Sequence, residues 1–345
     1  MLAKAKQLIK SSTFGVAHRT GALSAYVRRR LADRAVVLMY HRVLPRPLRE
    51  GSFSADGIVV TPETFRLHMR LLSSHFRPLS VGQLAAVLSG DEALPERACV
   101  VTFDDGWWDN LEYALPVLEE FGVPAVVFVA ADFIGTSRTF WQEHLSYMLF
   151  SASHAPSKQT DLWARLGIPN IGAMPLAERR VRIREYVTSL KSQSASEIQG
   201  IVAYVEQRLR EAGVEQSRGE VDRFLTWPEV LRLSASGLVT IGSHCRSHTP
   251  LPKLTPAAVA GELNSSRDII AQHIGGAPLD LAYPNGDYTS QIAAETRAAG
   301  YRTAFTTERG YVRCGDNAWQ LRRMNVHEGS SSTEPAFLAR LGGLV

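Results

Sequence analysis

The sequence predicts an α/β fold in which parallel strands alternate with crossover helices. Short apolar runs rich in β-branched residues recur along the 345-residue chain, and amphipathic helical stretches separate them. Most of these runs lack a strict two-residue alternation, which is typical of strands buried on both faces. The predicted strands are Val36–Tyr40, Cys99–Phe103, Ala125–Ala130, Leu238–Ser243, Leu279–Tyr283 and Arg302–Thr306.

Two of the intervening helices have recognisable start signals. Asp109 and Glu112 have the spacing of a capping box at the start of the helix that follows the second strand. Pro116 lies inside that helix and is expected to kink it. Thr255 followed by Pro256 marks the start of a second helix, because proline is favoured at the first helical position.

The chain is predicted to consist of a leader, one large domain and an insertion. Residues 1–34 form a basic helical leader, with eight Lys or Arg residues against one acid. Residues 35–345 form the α/β domain, which a helical insertion at 137–226 interrupts, because that stretch has several helical segments and no strong strand signal. The leader has the charge to contact an anionic membrane surface, and a helix packed on the outside of the domain explains the same pattern.

Composition and cysteine usage indicate a cytoplasmic protein, with peripheral membrane contact through the leader as an open alternative. Hydrophobic residues make up 45% of the chain and charged residues 21%, and the formal net charge is +4. Three cysteines without regular spacing argue against a disulfide framework and favour a reducing compartment. No apolar run in the leader is long enough for a secretory signal or a membrane span.

Two adjacent carboxylates follow the second predicted strand. Asp104 and Asp105 end the run VVTFDDGWW, and active sites of barrel-like α/β folds assemble at the carboxyl ends of strands. Neighbouring acids repel each other unless a cation or a proton lies between them. The pair therefore predicts a metal ligand beside a general base, although an exposed loop pair has the same sequence.

Two histidines four positions apart follow the fourth predicted strand. His244 and His248 occur in IGSHCRSHTP, and two imidazoles at this spacing can bind one ion. A carboxylate from elsewhere would complete a three-ligand site that leaves positions open for water, as catalytic zinc requires. Cys245 is a third possible ligand, but it is expected to point away from His244 on an extended segment.

Two further strand ends carry polar groups. The first strand delivers His41 at its end, in VVLMYHR. The fifth strand ends in AYPNGDY, where Pro284 and Gly286 predict a turn whose backbone N–H groups face a substrate oxygen.

Taken in order, LMYH, TFDDGW, the HxxxH segment and AYPNGDY resemble the polysaccharide deacetylases of carbohydrate esterase family 4, which share the NodB homology domain. The resemblance covers roughly residues 35 to 136 and 227 to 330. It implies a distorted, incomplete (β/α) barrel and one divalent metal ion, most often zinc. The implied substrate is an N-acetylated glycan from an exopolysaccharide or the cell envelope, with no nucleic-acid partner.

The resemblance also implies a role for each motif residue. Asp104 matches the general base, and the metal ligands are Asp105, His244 and His248. The LMYH strand resembles a relocated family strand of the poly-N-acetylglucosamine deacetylase subgroup, which implies that His41 is the general acid. His327, in NVHE near the carboxyl terminus, is the rival for that role.

One departure from the family pattern concerns the arginine that orients the base. The usual Arg-x-Pro-Tyr is Ala-Tyr-Pro-Asn here, so the arginine is missing and Asn285 occupies the position whose backbone N–H binds the oxyanion. Arg322 or Arg323 is a candidate replacement. Trp107, Tyr283 and Tyr288 are candidates to stack on the sugar, and packing inside the fold is the alternative role for such aromatic residues.

Two other function classes compete with this interpretation. A glycoside hydrolase would place two acids on opposite sides of a scissile bond and would need no metal. A catalytically silent sugar-binding member of the same fold would account for the missing arginine, but it would have little reason to keep a metal site.

Overall fold

A closed barrel of parallel strands forms the core of the larger of two compact units in this computed structural model. The structure describes residues 13–155, 160–215 and 220–345. In that part of the chain, the strands are β1 (Val36–Tyr40), β2 (Arg42–Val43), β3 (Val59–Val60), β4 (Arg77–Pro78), β5 (Ala98–Phe103), β6 (Ala125–Val129), β7 (Val239–Ser243), β8 (Asp280–Ala282), β9 (Thr303–Arg309) and β10 (Leu321–Asn325). Seven of them pair in the order β1-β10-β9-β8-β7-β6-β5, and β1 pairs with β5 to close the ring.

The predicted fold class, a (β/α) barrel of the NodB type, is confirmed, and the barrel is closed although it has seven strands. Every residue of β1, β5 and β6 is buried, as strands covered on both faces require. All six predicted strands exist, with ends that differ by up to three residues. The seventh barrel strand, β10, was harder to predict because two arginines interrupt its apolar pattern.

Helices surround the barrel within the same unit, whose described residues are 13–45, 56–136 and 224–345. The helix predicted at Thr255-Pro256 begins there, with the Thr255 side chain accepting from the Ala258 amide, and it ends at Gly275 in a left-handed conformation. The helices of this unit are α1 (Ala22–Arg30), α3 (Pro62–His75), α4 (Val81–Ser89), α5 (Leu115–Phe121), α10 (Trp227–Ala235), α11 (Pro256–Ile274), α12 (Ser290–Ala298), α13 (Glu328–Ser331) and α14 (Glu334–Leu341).

The capping box predicted at Asp109 is wrong. A π-helical turn at Asn110–Ala114 precedes α5, and Asp109 makes no capping hydrogen bond with its side chain. Pro116 lies in the first turn of α5 rather than inside a longer α-helix. Proline fits there because the first turn needs no backbone donor. The Asp109 carboxylate is buried against Arg42 instead.

The described part of the second unit lies within residues 46–55 and 137–223, and its secondary structure consists of helices joined by loops. Its core is apolar and includes Leu145, Trp163 and Val205. At its polar centre, the buried Asp222 carboxylate accepts hydrogen bonds from Ser52, Phe53 and Tyr147. The helices are α2 (Arg46–Gly51), α6 (Trp141–Ser153), α7 (Thr160–Leu166), α8 (Leu176–Ser189) and α9 (Ala195–Glu211).

The described part of the leader packs on the barrel unit. Leu23 and Val27 of α1 are buried, and α1 contacts α14. Residues 1–12, which include most of the predicted amphipathic pattern, lie outside the described residues. Among the described residues, no helix combines the length and the apolar character needed to cross a membrane.

Candidate active site

Polar side chains follow four barrel strands at their carboxyl ends. His41 follows β1, Asp104 and Asp105 follow β5, His244 follows β7, and the turn at Pro284–Gly286 follows β8. Because the strands are parallel, these ends meet at one mouth of the barrel. The structure thus brings residues from four separate motifs together at one site.

Asp105, His244 and the nearby His248 lie close enough together to hold one metal ion. Asp105 Oδ1 lies 3.5 Å from His244 Nε2 and 3.5 Å from His248 Nε2. All three candidate donor atoms lie within 4.8 Å of one another. A tetrahedral zinc ion with bonds of 2.0–2.2 Å separates its ligand atoms by about 3.3–3.6 Å. The donor set and its spacing therefore fit a divalent ion bound by one carboxylate and two imidazoles.

Neighbouring groups orient two of these ligands. His244 Nδ1 lies 2.7 Å from the carbonyl oxygen of Ala282, so this nitrogen carries the proton and Nε2 presents a lone pair. The indole N–H of Trp107 donates to Asp105 Oδ2 at 2.8 Å, so Oδ1 is the oxygen that faces the histidines. Such supporting hydrogen bonds are typical of metal sites.

Electrostatics favour the metal-binding protonation state of Asp105 and of His248, but not that of His244. Burial opposes ionisation of Asp105, but the neighbouring histidines lower its pKa well below the usual range. Burial and the nearby His244 lower the pKa of His248 to about 4, which leaves its imidazole neutral at pH 7. Although burial alone would lower the pKa of His244, the Asp105 carboxylate raises it. A proton on His244 would therefore compete with a cation.

Backbone strain is concentrated at this mouth of the barrel. Of the five described non-glycine residues with positive φ, four belong to the site: Asp105, Cys245, His248 and Asn285. Left-handed conformations cost energy in such residues and persist where function or packing requires them. Cys245 itself is fully buried in an apolar cluster, as expected for a side chain that points away from the ligands.

Asp104 is held by Arg323, which lies on β10. The two guanidinium NH groups donate to the two carboxylate oxygens at 2.7 Å each, and both side chains are buried. Arg323 also donates to the Thr306 carbonyl and the Thr102 hydroxyl, which fixes the guanidinium plane. Burial disfavours the charge on Asp104, but Arg323 lowers its pKa, so Asp104 is ionised at neutral pH. Arg322 is exposed and lies near Glu308 instead.

His41 is the histidine beside Asp104. Its Nε2 lies 4.0 Å from Asp104 Oδ2, and its buried Nδ1 has no hydrogen-bond partner among the described residues. His327 follows β10 and precedes α13, where its carbonyl oxygen accepts hydrogen bonds from Ser330 and Ser331. The His41 side chain therefore lies close to the Asp104 carboxylate, whereas these contacts of His327 are made by its backbone carbonyl.

The turn after β8 presents Asn285 at the surface. Asn285 is exposed and has φ 57°, while the Gly286 and Asp287 amides donate to Tyr283 and Pro284. Gly286 has φ 77°, and an added Cβ would collide with Thr307. Only glycine therefore permits the close approach that supports this turn.

Burial contradicts two of the predicted sugar-binding residues. The Trp107 and Tyr283 side chains have no exposed surface, so neither ring can stack on a substrate. Trp107 holds Asp105, and the Tyr283 hydroxyl lies within hydrogen-bond distance of the Thr296 hydroxyl and the Trp319 carbonyl. Tyr288 is half-buried and stacks on Tyr283, so it remains a candidate for substrate contact.

Three residues of the site were missed by sequence reasoning. Arg42 and Asp109 form a fully buried ion pair, and the Asn110 side chain donates to the carbonyl of His41. Arg42 directly follows the LMYH motif, and Asp109 and Asn110 lie just beyond TFDDGWW. Their positions beside the motifs were the available signal, but a capping box was the simpler interpretation of Asp109.

Comparisons with known proteins agree with this architecture. The polysaccharide deacetylase family model matches residues 91–165 and 176–304. The Bacillus subtilis protein YxkH, named among the polysaccharide deacetylases, is 20% identical over 90% of this chain and 77% of its own length. The Escherichia coli K12 poly-β-1,6-N-acetyl-D-glucosamine N-deacetylase is 33% identical over 66 residues, which are 19% of this chain and 10% of that protein. IcaB from Ammonifex degensii is 20% identical, with a TM-score of 0.57 over 90% of this chain and 97% of that chain.

The chain belongs to the polysaccharide deacetylase family, because the family model matches more than half of it. The enzyme class expected from the four motifs, an N-deacetylase, is confirmed. The likeness to IcaB shows the barrel fold alone, since the sequence identity is low.

Proposed function

We propose that this chain is a metal-dependent hydrolase that removes N-acetyl groups from a glycan containing N-acetylglucosamine. The convergence of Asp105, His244 and His248 beside the arginine-held Asp104 carries the proposal. One carboxylate with two imidazoles is a ligand set typical of catalytic zinc, so zinc is the proposed ion. The name of the Escherichia coli relative supports N-acetylglucosamine as the substrate unit.

The proposed mechanism divides the chemistry among this chain's own side chains. A divalent ion bound there supplies Lewis-acid polarisation of the acetamide carbonyl and of water. Asp104, ionised and held by Arg323, accepts a proton from the attacking water. The Asn285 backbone N–H donates to the oxyanion that develops on the carbonyl oxygen. His41 donates a proton to the leaving amine, which yields acetate and a free amino sugar.

The arrangement favours this reaction over glycoside hydrolysis. A glycosidase needs two carboxylates on opposite sides of the scissile bond, whereas Asp104 and Asp105 are consecutive residues with separate partners. A silent sugar-binding protein would not need a base held by a buried arginine. The AYPN motif lacks the family arginine, and that absence suggested a silent protein. Arg323 supplies a bidentate contact to Asp104 from β10 instead.

Acetate release tests the proposal directly. The purified chain is assayed with β-1,6-linked N-acetylglucosamine oligomers, chitin-type oligomers and peptidoglycan fragments. We expect release from at least one of them, loss of release with a chelator, and recovery when zinc is added. Turnover that is unchanged by complete metal removal would contradict the mechanism.

The basic leader is proposed to contact an anionic membrane surface from a cytoplasmic location. Arg28, Arg29 and Arg30 are exposed at the end of α1, and acidic residues are absent from its first turn. Co-sedimentation with phosphatidylglycerol vesicles that weakens when these three arginines are replaced by glutamine would support the contact. Equal sedimentation of both forms would contradict it.

A further inference from the structure

Two consecutive buried residues hold the segment that follows β1. The Asp109 carboxylate accepts from Arg42 Nε at 2.9 Å and from the Val43 amide at 2.8 Å. The Asn110 side-chain amide donates to the carbonyl oxygen of His41 at 2.8 Å. Both residues lie just after the TFDDGWW motif. They therefore connect the segment that carries His41 to the segment that carries Asp104 and Asp105.

Arg42 extends this connection to the metal ligands through Trp107. Its guanidinium carbon lies 4.2 Å from the centroid of the Trp107 ring, which also stacks on Phe224 at 4.3 Å. The Trp107 indole N–H then donates to Asp105 Oδ2. Because the ring is packed in this way, the direction of its N–H is fixed, and with it the direction of Asp105 Oδ1.

We propose that Asp109 and Asn110 are positioning residues that set the geometry between the proton donor His41 and the metal ligand Asp105. The inference rests on the proposed function and adds to it two positioning paths from one dipeptide. One path runs from Asp109 through Arg42 and Trp107 to Asp105. The other runs from Asn110 to the backbone of His41.

Stability alone gives little reason for this cluster. A fully buried ion pair gains little net free energy, because desolvation of both charges offsets their attraction. It does impose geometry, since the Asp109 carboxylate accepts from both a guanidinium and a backbone amide. Displacement of a reacting group by about 1 Å can cost about 100-fold in rate, so such control of position has a large effect on catalysis.

The first path is tested with Trp107→Phe, which removes the N–H donor and keeps an aromatic ring beside Arg42. Zinc affinity is measured by competition with a chromophoric chelator, and circular dichroism checks the fold. We expect the zinc dissociation constant to rise by about 10- to 100-fold. Arg42→Lys, which keeps the charge and loses the planar group, is a second variant expected to shift the constant in the same direction. Unchanged zinc affinity in both folded variants would overturn this path.

The second path is tested with Asn110→Asp, which replaces the donating amide by an acceptor of the same shape. We expect kcat for acetamide hydrolysis to fall by about 10- to 100-fold with little change in KM. Hydrolysis of 4-nitrophenyl acetate should stay within about 2-fold, because its leaving group needs no proton from His41. Zinc affinity should also stay unchanged. The exposed Asn317→Asp is the matched control, expected to alter neither rate.

Failure of the proposed function and failure of the positioning role give different results. If the wild-type chain binds no zinc and releases no acetate, the proposed function fails. If the wild type does both, and Asn110→Asp slows ester and amide hydrolysis equally or slows neither, then the positioning role of Asn110 is overturned while the proposed function stands.

Discussion

The two compact units each bury a carboxylate, and the partners of these carboxylates differ. In the helical unit, Asp222 accepts hydrogen bonds of 2.6–2.8 Å from two hydroxyls and a backbone amide. In the barrel unit, Asp105 Oδ1 faces two imidazole nitrogens at 3.5 Å, which is longer than a hydrogen bond. Burial of an acid therefore does not identify a site. The distance from the carboxylate to its partners identifies the site. Direct hydrogen bonds satisfy Asp222, whereas the longer distances from Asp105 to the two imidazoles leave room for an ion.

Asp104 differs from both, because its partner is a cation. Arg323 neutralises the carboxylate without protonating it, so the group stays ionised although it is buried. A buried base needs this arrangement, since desolvation alone would raise its pKa. We therefore propose that Asp222 is a structural acceptor, Asp105 a metal ligand and Asp104 a base, and variants of these residues and their partners can test that distinction.

The largest effect is expected from Asp104→Asn. The amide has nearly the same shape but cannot accept a proton, so kcat for acetate release should fall by about 10³-fold. Zinc content should remain that of the wild type, because Asp104 is not among the ligands. The exposed Asp91→Asn is the control for loss of a negative charge. Wild-type turnover in Asp104→Asn would refute its assignment as the base.

Arg323→Lys should have the next largest effect. Lysine cannot donate two parallel hydrogen bonds to one carboxylate, so the base loses its fixed orientation. We expect kcat to fall by about 10- to 100-fold with zinc content unchanged. The neighbouring Arg322→Lys is the matched control, because Arg322 is exposed and lies near Glu308 rather than the site. Equal losses in the two variants would mean that the Arg323 contact has no specific role.

The sequence was sufficient to predict the motif residues of the site but not their partners. Asp105, His244 and His248 could be found because each follows an apolar strand, and parallel strands end at one mouth. Arg323 lies 219 residues from Asp104 and could be predicted only as one of two adjacent arginines. Side-chain direction on β10 decides between them, and neither composition nor spacing determines it.

Contacts between residues far apart in sequence also explain why Asp109 was misinterpreted and why residues 46–55 were not assigned to the helical unit. Asp109 has the spacing of a capping residue, and its contact with Arg42, 67 residues away, exists only after β1 and β5 pair. Residues 46–55 lie far in sequence from 137–223, yet hydrogen bonds from Ser52 and Phe53 to Asp222 join them to the helical unit. Local patterns predict elements well, but long-range pairing of polar side chains depends on the assembled fold.

His68 is a fourth buried titratable group, and it should make the stability of the fold depend on pH. Its Nε2 lies 2.7 Å from the Ser331 carbonyl, its ring stacks on Phe337, and burial lowers its pKa to about 4. The unfolded chain, with a histidine pKa near 6.5, binds more protons between these values. Stability should therefore fall as the pH drops from about 6.5 towards 4, by about 2 kcal/mol at pH 5.

His68→Gln tests this expectation, because glutamine keeps a donor and an acceptor but does not titrate. Urea unfolding of wild type and variant is compared at pH 7.5 and pH 5. The loss of stability between the two pH values should be smaller in the variant by about 2 kcal/mol. An identical pH dependence of the free energy of unfolding in the two proteins would show that His68 is not buried in its neutral form.

The smallest effect is expected from Asp222→Asn in the helical unit. The asparagine amide keeps one acceptor oxygen, but its NH₂ group faces groups that donate to the carboxylate in the wild type. The loss of these hydrogen bonds should cost about 1–2 kcal/mol of local stability. Native-state hydrogen exchange in α6 measures this cost, with the exposed Asp161→Asn as the control on the same unit. Turnover per folded molecule and zinc affinity should be unchanged, because the hydrogen bonds to Asp222 from Ser52, Phe53 and Tyr147 lie within the helical unit. A fall in turnover as large as that of Arg323→Lys would mean that partner spacing does not separate structural from catalytic carboxylates in this chain.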